Sequence, residues 1–259
     1  MDLGLKGKRA LVTGAGRGIG QAIANCLAKE GVQVAIVART GADVASVLEE
    51  MGGLSKGHWG IAMDLTPDGA PAELLKGLKQ ARFNPIDIVV HNLGGILNIR
   101  DPFCSIHDWR RVYRLNFEVA VELNLNLVPL MQKQKWGRVI HISSISGMEN
   151  HGPVPYCAVK AALTAYTRSF AGVVASDGVM ISAVLPGAVF TEKGDWDKIQ
   201  KENPEHVKKF LSERQRIGRF GKPEEIAQFV AFLSSQLASF NAGGIFPVDG
   251  GQGRGYFGQ

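Results

Sequence analysis

Two side chains that can exchange a proton with a ligand, Tyr156 and Lys160, are spaced four residues apart. They follow a loop rich in glycine and proline, in a segment whose apolar residues recur at helical spacing. Residues four apart share one helix face, so the phenol and the ammonium project into the same region. At about 4 Å and an effective dielectric near 20, the cation attracts a phenolate by on the order of 4 kcal/mol before desolvation. We therefore expect the pKa of Tyr156 to fall from about 10 toward neutrality, which makes it a candidate general acid or base.

A glycine-rich run, from Thr13 to Gly20, separates the first predicted strand from the first predicted helix. Glycines there let the backbone turn tightly and approach a pyrophosphate, whose charge meets the N–H groups at the helix start. Tight turns in any fold use glycine, and only the position between strand and helix favours a dinucleotide site. The candidate cofactor-binding residues in this run are Gly14, Arg17, Gly18, Ile19 and Gly20.

The end of the second predicted strand indicates which dinucleotide binds. A carboxylate is expected there for NAD, because it binds the ribose hydroxyls. This strand ends instead in Ala38, Arg39 and Thr40. Arg39 and Arg17 can hold the additional phosphate of NADP from two sides. We predict NADP(H), with NAD(H) as the less favoured cofactor; the alternative for Arg39 is an ordinary surface position.

The rest of the chain alternates short apolar runs with longer helix-patterned segments. Unbroken apolar strands that alternate with helices indicate a parallel sheet covered on both faces. We predict one doubly wound Rossmann-type α/β domain over residues 1–259, with about seven strands. The predicted strands are Arg9 to Thr13, Val32 to Ala38, Trp59 to Met63, Ile86 to His91, Arg138 to Ile142, Met180 to Leu185 and Gly244 to Val248.

One segment, from Thr191 to Gly221, has few apolar residues and many charges. Loops at the carboxyl ends of the strands surround the ligand crevice of an open α/β sheet, so a charged insertion after the sixth strand suits a mobile substrate lid. The alternative is a solvated helical excursion without a role in binding.

Composition excludes several other classes of protein. The net charge is +5, but the Lys and Arg residues are scattered, so we expect no nucleic-acid partner. The three cysteines lie far apart without the close spacings that bind zinc, which predicts a reducing, cytoplasmic location and no metal. No apolar stretch is long enough to span a membrane.

Several ordered motifs together resemble the short-chain dehydrogenase/reductase family, and within it the 3-oxoacyl-carrier-protein reductase type. The resemblance covers nearly the whole chain. Besides the glycine run, the motifs are Asn92-Leu93-Gly94, Asn116, Ser143-Ser144, Tyr156 with Lys160, Pro186-Gly187 through Thr191, and Val248-Asp249-Gly250-Gly251.

The resemblance implies catalytic roles for four residues. Tyr156 exchanges the proton with the substrate oxygen and Ser144 hydrogen-bonds that oxygen. Lys160 holds the nicotinamide ribose and lowers the pKa of Tyr156, while Asn116 anchors a water that relays protons. The further cofactor contacts that it implies are Asp64 and Leu65 near the adenine, Asn92 and Gly94 near the adenosine ribose, Pro186 and Gly187, and Val189 and Thr191 near the carboxamide.

The sequence departs from the family pattern at two places. The fourth strand ends His91-Asn92-Leu93-Gly94 where the family more often has Asn-Asn-Ala-Gly, and we interpret His91 as structural rather than catalytic. The segment from Gly147 to Tyr156 is one residue shorter than in many members. Counting back from Tyr156 favours Ser143 as the serine that hydrogen-bonds the substrate oxygen, whereas counting back from Gly147 favours Ser144. We choose Ser144.

These observations predict an NADP(H)-dependent oxidoreductase that interconverts a small-molecule carbonyl and a secondary alcohol. The alternative is a catalytically silent dinucleotide-sensing regulator on the same scaffold. Family resemblance also implies a homotetramer. The apolar residues Leu97, Met148, Val154, Phe190 and Trp196 are candidates for the substrate pocket, but the substrate itself cannot be read from the sequence.

Overall fold

A computed structural model describes residues 1–150 and 152–254. It contains seven strands: β1 (Arg9–Thr13), β2 (Gln33–Ala38), β3 (Trp59–Ala62), β4 (Ile88–His91), β5 (Gly137–Ile142), β6 (Val179–Pro186) and β7 (Ile245–Val248). They form one sheet in the order β3-β2-β1-β4-β5-β6-β7, and every neighbouring pair is parallel. The predicted doubly wound parallel sheet of seven strands is confirmed.

Nine α-helices lie in the described ranges. They are α1 (Gly18–Lys29), α2 (Gly41–Glu50), α3 (Ala70–Gln80), α4 (Ile106–Tyr113), α5 (Val119–Gln134), α6 (Val154–Val174), α7 (Asp195–Glu202), α8 (Pro204–Arg214) and α9 (Pro223–Leu233). A π-helical turn, Arg114–Glu118, joins α4 to α5. None of these helices combines the length and apolar character needed to cross a membrane.

The two faces of the sheet carry separate hydrophobic cores. In β1, Val12 packs on the side of α1 and α9, whereas Leu11 packs on the side of α3 and α5. Both side chains are fully buried. Successive strand residues point to opposite faces, so a sheet buried on both sides needs apolar residues without a break. The uninterrupted runs of the sequence meet this requirement.

Strand order reverses between β1 and β4, which lie side by side although β2 and β3 separate them in the chain. The connections after these two strands therefore leave in opposite directions and open a crevice at their carboxyl ends. The glycine run follows β1 and Asn92 follows β4, so both lie at this crevice.

The segment from 191 to 221 is more ordered than its charged composition predicts. It forms α7 and α8, whose Trp196 and Phe210 rings lie 4.3 Å apart between centroids. Phe220 lies 4.9 Å from Trp196, so aromatic contacts hold the two helices together. The segment has few buried apolar residues, as its composition indicates, and its helices are joined by this aromatic cluster; its role as a lid stays a prediction.

Candidate active site

A cavity of about 1210 Å³ opens at the carboxyl ends of the central strands. Every predicted site residue except Asn116 lines it. The predicted residues that it brings together are Gly14, Arg17, Gly18, Ile19, Gly20, Arg39, Asp64, Leu65, Asn92, Gly94, Ser144, Tyr156, Lys160, Pro186, Gly187, Val189 and Thr191.

The glycine run is held in a turn that side chains would obstruct. Gly14 and Gly18 have φ values of +65° and +59°, in the left-handed region that favours glycine. The Asn92 side chain fixes the turn, because its Nδ2 donates to the carbonyl oxygens of Thr13 at 3.1 Å and Gly14 at 2.9 Å. Asn92 therefore shapes the loop from the neighbouring strand rather than only facing the cleft.

The two predicted phosphate-binding arginines line the same cavity. Arg17 is the last residue before α1, in extended conformation, and Arg39 follows β2. Sequence reasoning missed Asp43, a cavity-lining carboxylate in the first turn of α2. A Cβ atom placed on Gly16 would lie 3.1 Å from the Asp43 Cβ, so this carboxylate borders the loop.

Tyr156 lies in the first turn of α6 and lines the cavity together with Ser144. Ser144 is held in turn, because its hydroxyl oxygen accepts from the Ser146 N–H at 3.1 Å. Ser143 instead turns toward the helix, where its hydroxyl donates to the Lys160 carbonyl at 3.1 Å and pairs with Thr164 at 3.2 Å. Ser143 is thus committed to the helix, which favours Ser144 as the partner of the tyrosine hydroxyl; the choice of Ser144 stays a prediction.

Lys160 is a buried cation, only 2% exposed, on the same helix. Its Nζ donates to the Ile142 carbonyl at 2.9 Å, at the end of β5. The Nζ lies 5.5 Å from the centroid of the Tyr156 ring. A Cβ atom on Gly94 would lie 3.0 Å from this Nζ, so the absence of a side chain at Gly94 gives the ammonium its space.

The pKa values of Tyr156 and Lys160 differ from those expected from the sequence. Burial raises the pKa of Tyr156 to about 12, and the hydrogen bond from Ser144 offsets only part of this effect. Burial also lowers the pKa of Lys160 to about 7. The expected fall in the Tyr156 pKa is therefore wrong for this state, because desolvation of the phenolate is the largest influence on the pKa.

Asn116 lies in the π-helical turn, 2% exposed and behind the cavity wall. Its Nδ2 donates to the carbonyl oxygens of Gly95 and Val112, both at 2.9 Å, and its Oδ1 accepts from the Gly95 N–H at 3.0 Å. These bonds clamp the loop after β4. The side chain is thus committed to the backbone; the water-anchoring role that the resemblance implies for Asn116 stays a prediction.

His91 belongs to a buried polar network behind the cleft. Its Nε2 hydrogen-bonds with the Asn124 Oδ1 at 2.8 Å, and the Asn124 amide approaches the His141 Nε2 at 3.2 Å. The His141 Nδ1 pairs with the Thr167 hydroxyl at 2.8 Å. Burial lowers the pKa of His91 to about 4. The position agrees with the structural interpretation of His91.

The wall of the cavity differs in part from the prediction. Of the five apolar residues predicted to line the substrate pocket, Leu97 and Trp196 line this cavity. The other three do not. Phe190 packs against Phe220, Met148 packs against a small core cluster and Val154 is half exposed. Lining residues that sequence reasoning missed include the polar or charged Thr66, Asn98, His107, Arg110, Arg111, Arg114 and Asp195 and the apolar Met63, Ile96 and Leu115.

Comparison with known proteins identifies the family. The family model described as enoyl-(acyl carrier protein) reductase matches residues 14–252. The 3-oxoacyl-[acyl-carrier-protein] reductase FabG of Aquifex aeolicus is 35% identical over 254 residues, which cover 97% of this chain and 99% of the relative. This chain belongs to the short-chain dehydrogenase/reductase family. The FabG of Pseudomonas aeruginosa is similar at 34% identity, over 96% of this chain and 98% of its own.

Solved structures of other short-chain reductases have the same fold. The L-sorbose reductase of Gluconobacter frateurii, complexed with NADPH and L-sorbose, superposes with a TM-score of 0.91 at 29% identity, covering 99% of this chain and 100% of its own. A 3-oxoacyl (acyl-carrier-protein) reductase of Agrobacterium tumefaciens with NADP bound gives a TM-score of 0.87 at 31% identity, over 96% of each chain.

The burial of Lys160 makes the stability of this reductase depend on pH. Between pH 7 and 10 the folded protein holds the amine neutral while the unfolded chain, with an ordinary pKa of 10.5, binds a proton. Stability therefore rises with pH in this window. Replacing Lys160 by Met removes the titration, so the variant gains relative stability near pH 7, and each pH unit above that shrinks the gain by up to about 1.4 kcal/mol.

Urea unfolding of both proteins at pH 7, 8 and 9.5 measures the difference. Titratable groups that both proteins share contribute equally to the two free energies of unfolding and cancel in the difference. The Tyr156 phenol, with a pKa of about 12, stays protonated in the folded state throughout. The Ile142 carbonyl loses its donor in the variant, which opposes the gain equally at every pH. A difference that does not change with pH contradicts the buried neutral amine.

Proposed function

We propose that this protein is an NADP(H)-dependent oxidoreductase that interconverts a carbonyl and a secondary alcohol, with Tyr156 as general acid and base. One observation carries the proposal: Ser144, Tyr156 and Lys160 line the same cavity as the glycine run. A phenol beside a dinucleotide cleft is suited to proton exchange with an oxygen next to a hydride donor.

The cleft fits a dinucleotide phosphate cofactor. The backbone of Gly14, Gly18 and Gly20 lies open to the cavity at the start of α1, where N–H groups meet a pyrophosphate. Arg17 and Arg39 face the same cavity and suit the additional phosphate of NADP. The similar structures with NADPH and NADP bound support this choice.

When bound, NADP(H) supplies or accepts the hydride. In reduction, Tyr156 would donate its proton to the carbonyl oxygen, and Ser144 would donate a hydrogen bond to the same oxygen. Lys160 then offers a proton to the phenolate and a charge to the nicotinamide ribose. Because Tyr156 has a pKa of about 12, it holds its proton at neutral pH and is ready as an acid.

We assign supporting roles to the other cavity residues. Asp64 and Leu65 border the adenine, Asn92 and Gly94 the adenosine ribose, and Val189 and Thr191 the carboxamide, beside Pro186 and Gly187. Asn116 acts as a positioning residue, because its side chain clamps Gly95 next to the open backbone of Gly94. The regulator alternative is favoured by no observation in the described part of the chain.

Helices α7 and α8 form a substrate lid in this proposal. They border the cavity through Gly194, Asp195 and Trp196, and Val207 is their only buried residue. Few buried contacts favour local opening.

We expect trypsin to cut first at lysines of α7 and α8, and NADPH with substrate to slow those cuts. Equal cutting rates with and without ligands would argue against a lid.

The homotetramer and the cytoplasmic location stay predictions. The surfaces that two contacting copies could cover include exposed apolar side chains on α5 and α6, among them Leu125 and Val173, exposed by 65% and 69%. The three cysteines are unpaired, in keeping with a reducing compartment.

Replacing Tyr156 by Phe removes the proton donor and keeps the ring. We expect turnover of a ketone with NADPH to fall by about 10² to 10⁴-fold, the usual contribution of acid–base catalysis, while NADPH affinity is retained. Steady-state rates and fluorescence titration of NADPH measure the two effects. Tyr113→Phe is the matched control, since Tyr113 lies outside the cavity lining. Activity of the Tyr156 variant near wild type would end the tyrosine mechanism.

Replacing Arg39 by Ala removes one of the two cations proposed for the phosphate. A charge-assisted hydrogen bond contributes about 1.5 to 3 kcal/mol, so NADPH binding should weaken by roughly one to two orders of magnitude. NADH, which lacks the phosphate, should change far less. Dissociation constants at fixed ionic strength test this, with Arg168→Ala as a control for net charge outside the cavity. Equal weakening of both cofactors refutes the phosphate clamp.

A further inference from the structure

The start of α7 places a carboxylate in the same cavity as the tyrosine. Asp195 and Trp196 line the cavity together with Tyr156 and Ser144. The negative charge of Asp195 also adds to the rise in the pKa of Tyr156, so the carboxylate acts on the phenol through space. This group is 59% exposed and can therefore accept hydrogen bonds from a ligand.

A cation faces this carboxylate from the loop after β4. The Arg100 Nη2 lies 3.9 Å from the Asp195 Oδ2, and both side chains are well exposed. An exposed pair at this distance contributes little stability and opens easily. The neighbouring Leu97 and Asn98 have φ values of +52° and +57°, and both line the cavity. Positive φ values are uncommon for residues other than glycine, and residues with this backbone conformation are concentrated at ligand-binding sites.

A flat aromatic surface lies beside the carboxylate. The Trp196 ring packs 4.3 Å from Phe210 and 4.9 Å from Phe220, so its position is fixed by the lid itself. The cavity lining thus includes the Asp195 carboxylate as a hydrogen-bond acceptor, the Asn98 amide as a donor and the aromatic ring of Trp196. Apolar C–H groups pack well on such a ring, while hydroxyls at their edge need polar partners.

Three classes of substrate meet this arrangement differently. An anionic group is repelled by Asp195, and a long alkyl chain would bury the charged pair without giving it new partners, which is costly. A neutral molecule with neighbouring hydroxyls can donate to Asp195 and accept from the amide of Asn98, which lines the same cavity. Its C–H face can lie on Trp196.

We propose that the substrate is a neutral polyhydroxylated ketone, and the corresponding polyol in the reverse direction, with Asp195 as the residue that selects it. This proposal rests on the proposed function, because it concerns the same cleft. Asp195 accepts a hydrogen bond from a hydroxyl near the carbonyl. Reduction adds hydride from NADPH to the carbonyl carbon and a proton from Tyr156 to its oxygen, giving the polyol and NADP⁺. The similarity to an L-sorbose reductase structure agrees with this class.

The test compares substrates and variants. Values of kcat/KM with NADPH are measured for ketoses of five and six carbons, L-sorbose among them, for hexan-2-one and for acetoacetyl-coenzyme A. We expect wild type to prefer a ketose, and Asp195→Asn to lower the ratio of ketose to hexan-2-one by about tenfold, through loss of a charge-assisted hydrogen bond. Glu202→Gln is the matched control, since Glu202 pairs with Lys198 at the same 3.9 Å on α7 but lies outside the cavity.

Calorimetry of the ketose with protein saturated in NADP⁺ gives a second readout without turnover. Binding that weakens about tenfold in Asp195→Asn and not in Glu202→Gln supports the inference. Preference for hexan-2-one or the thioester, or an unchanged ratio in Asp195→Asn, overturns it and leaves the proposed function standing. Failure of wild type to reduce any carbonyl overturns the proposed function, and absence of ketose binding then overturns the inference as well.

Discussion

The buried amine of Lys160 is the constraint around which the cleft is organised. An amine only 2% exposed must find its hydrogen-bond partner in the protein, and the Ile142 carbonyl at the end of β5 supplies it. This bond ties α6 to the centre of the sheet and so fixes where Tyr156 enters the cavity. Gly94 leaves room for the amine from the neighbouring strand. The same burial opposes the charged form, so the residue that positions the chemistry also weakens the fold near neutral pH.

A layer of neutral polar groups behind Lys160 places no further positive charge next to the buried amine. His91, Asn124, His141 and Thr167 are all buried and joined by hydrogen bonds across β4, β5, α5 and α6. The charge of Lys160 and burial both lower the pKa of His141. Neutral imidazoles satisfy their neighbours without placing further positive charge beside the amine. The network therefore pins α6 over the sheet while leaving the lysine as the only cation of the layer among the described residues.

The strands and the position of the cleft could be predicted from the sequence, because residues close together along the chain determine them. Unbroken apolar runs specify strands buried on both faces, and the glycine run together with Asn92 specifies the position of the cleft. The proton affinity of Tyr156 was predicted wrongly, because spacing along a helix gives proximity but not burial, and burial dominates. The cavity role of Asp195 was missed for a related reason. Its contact with Arg100 spans 95 positions, and nothing in either segment alone indicates the other.

Burial sets the resting protonation of the cleft. Burial and the nearby Asp195 charge both keep the phenol of Tyr156 protonated, while burial leaves Lys160 with a pKa of about 7. Near neutral pH Tyr156 thus holds its proton firmly, whereas Lys160 exchanges its proton readily. A firmly held proton makes the phenol a weak acid and its phenolate a strong base, so these pKa values favour neither direction of proton transfer. Efficient transfer needs a pKa closer to the working pH, and a positive charge brought near the phenol lowers the pKa in that direction.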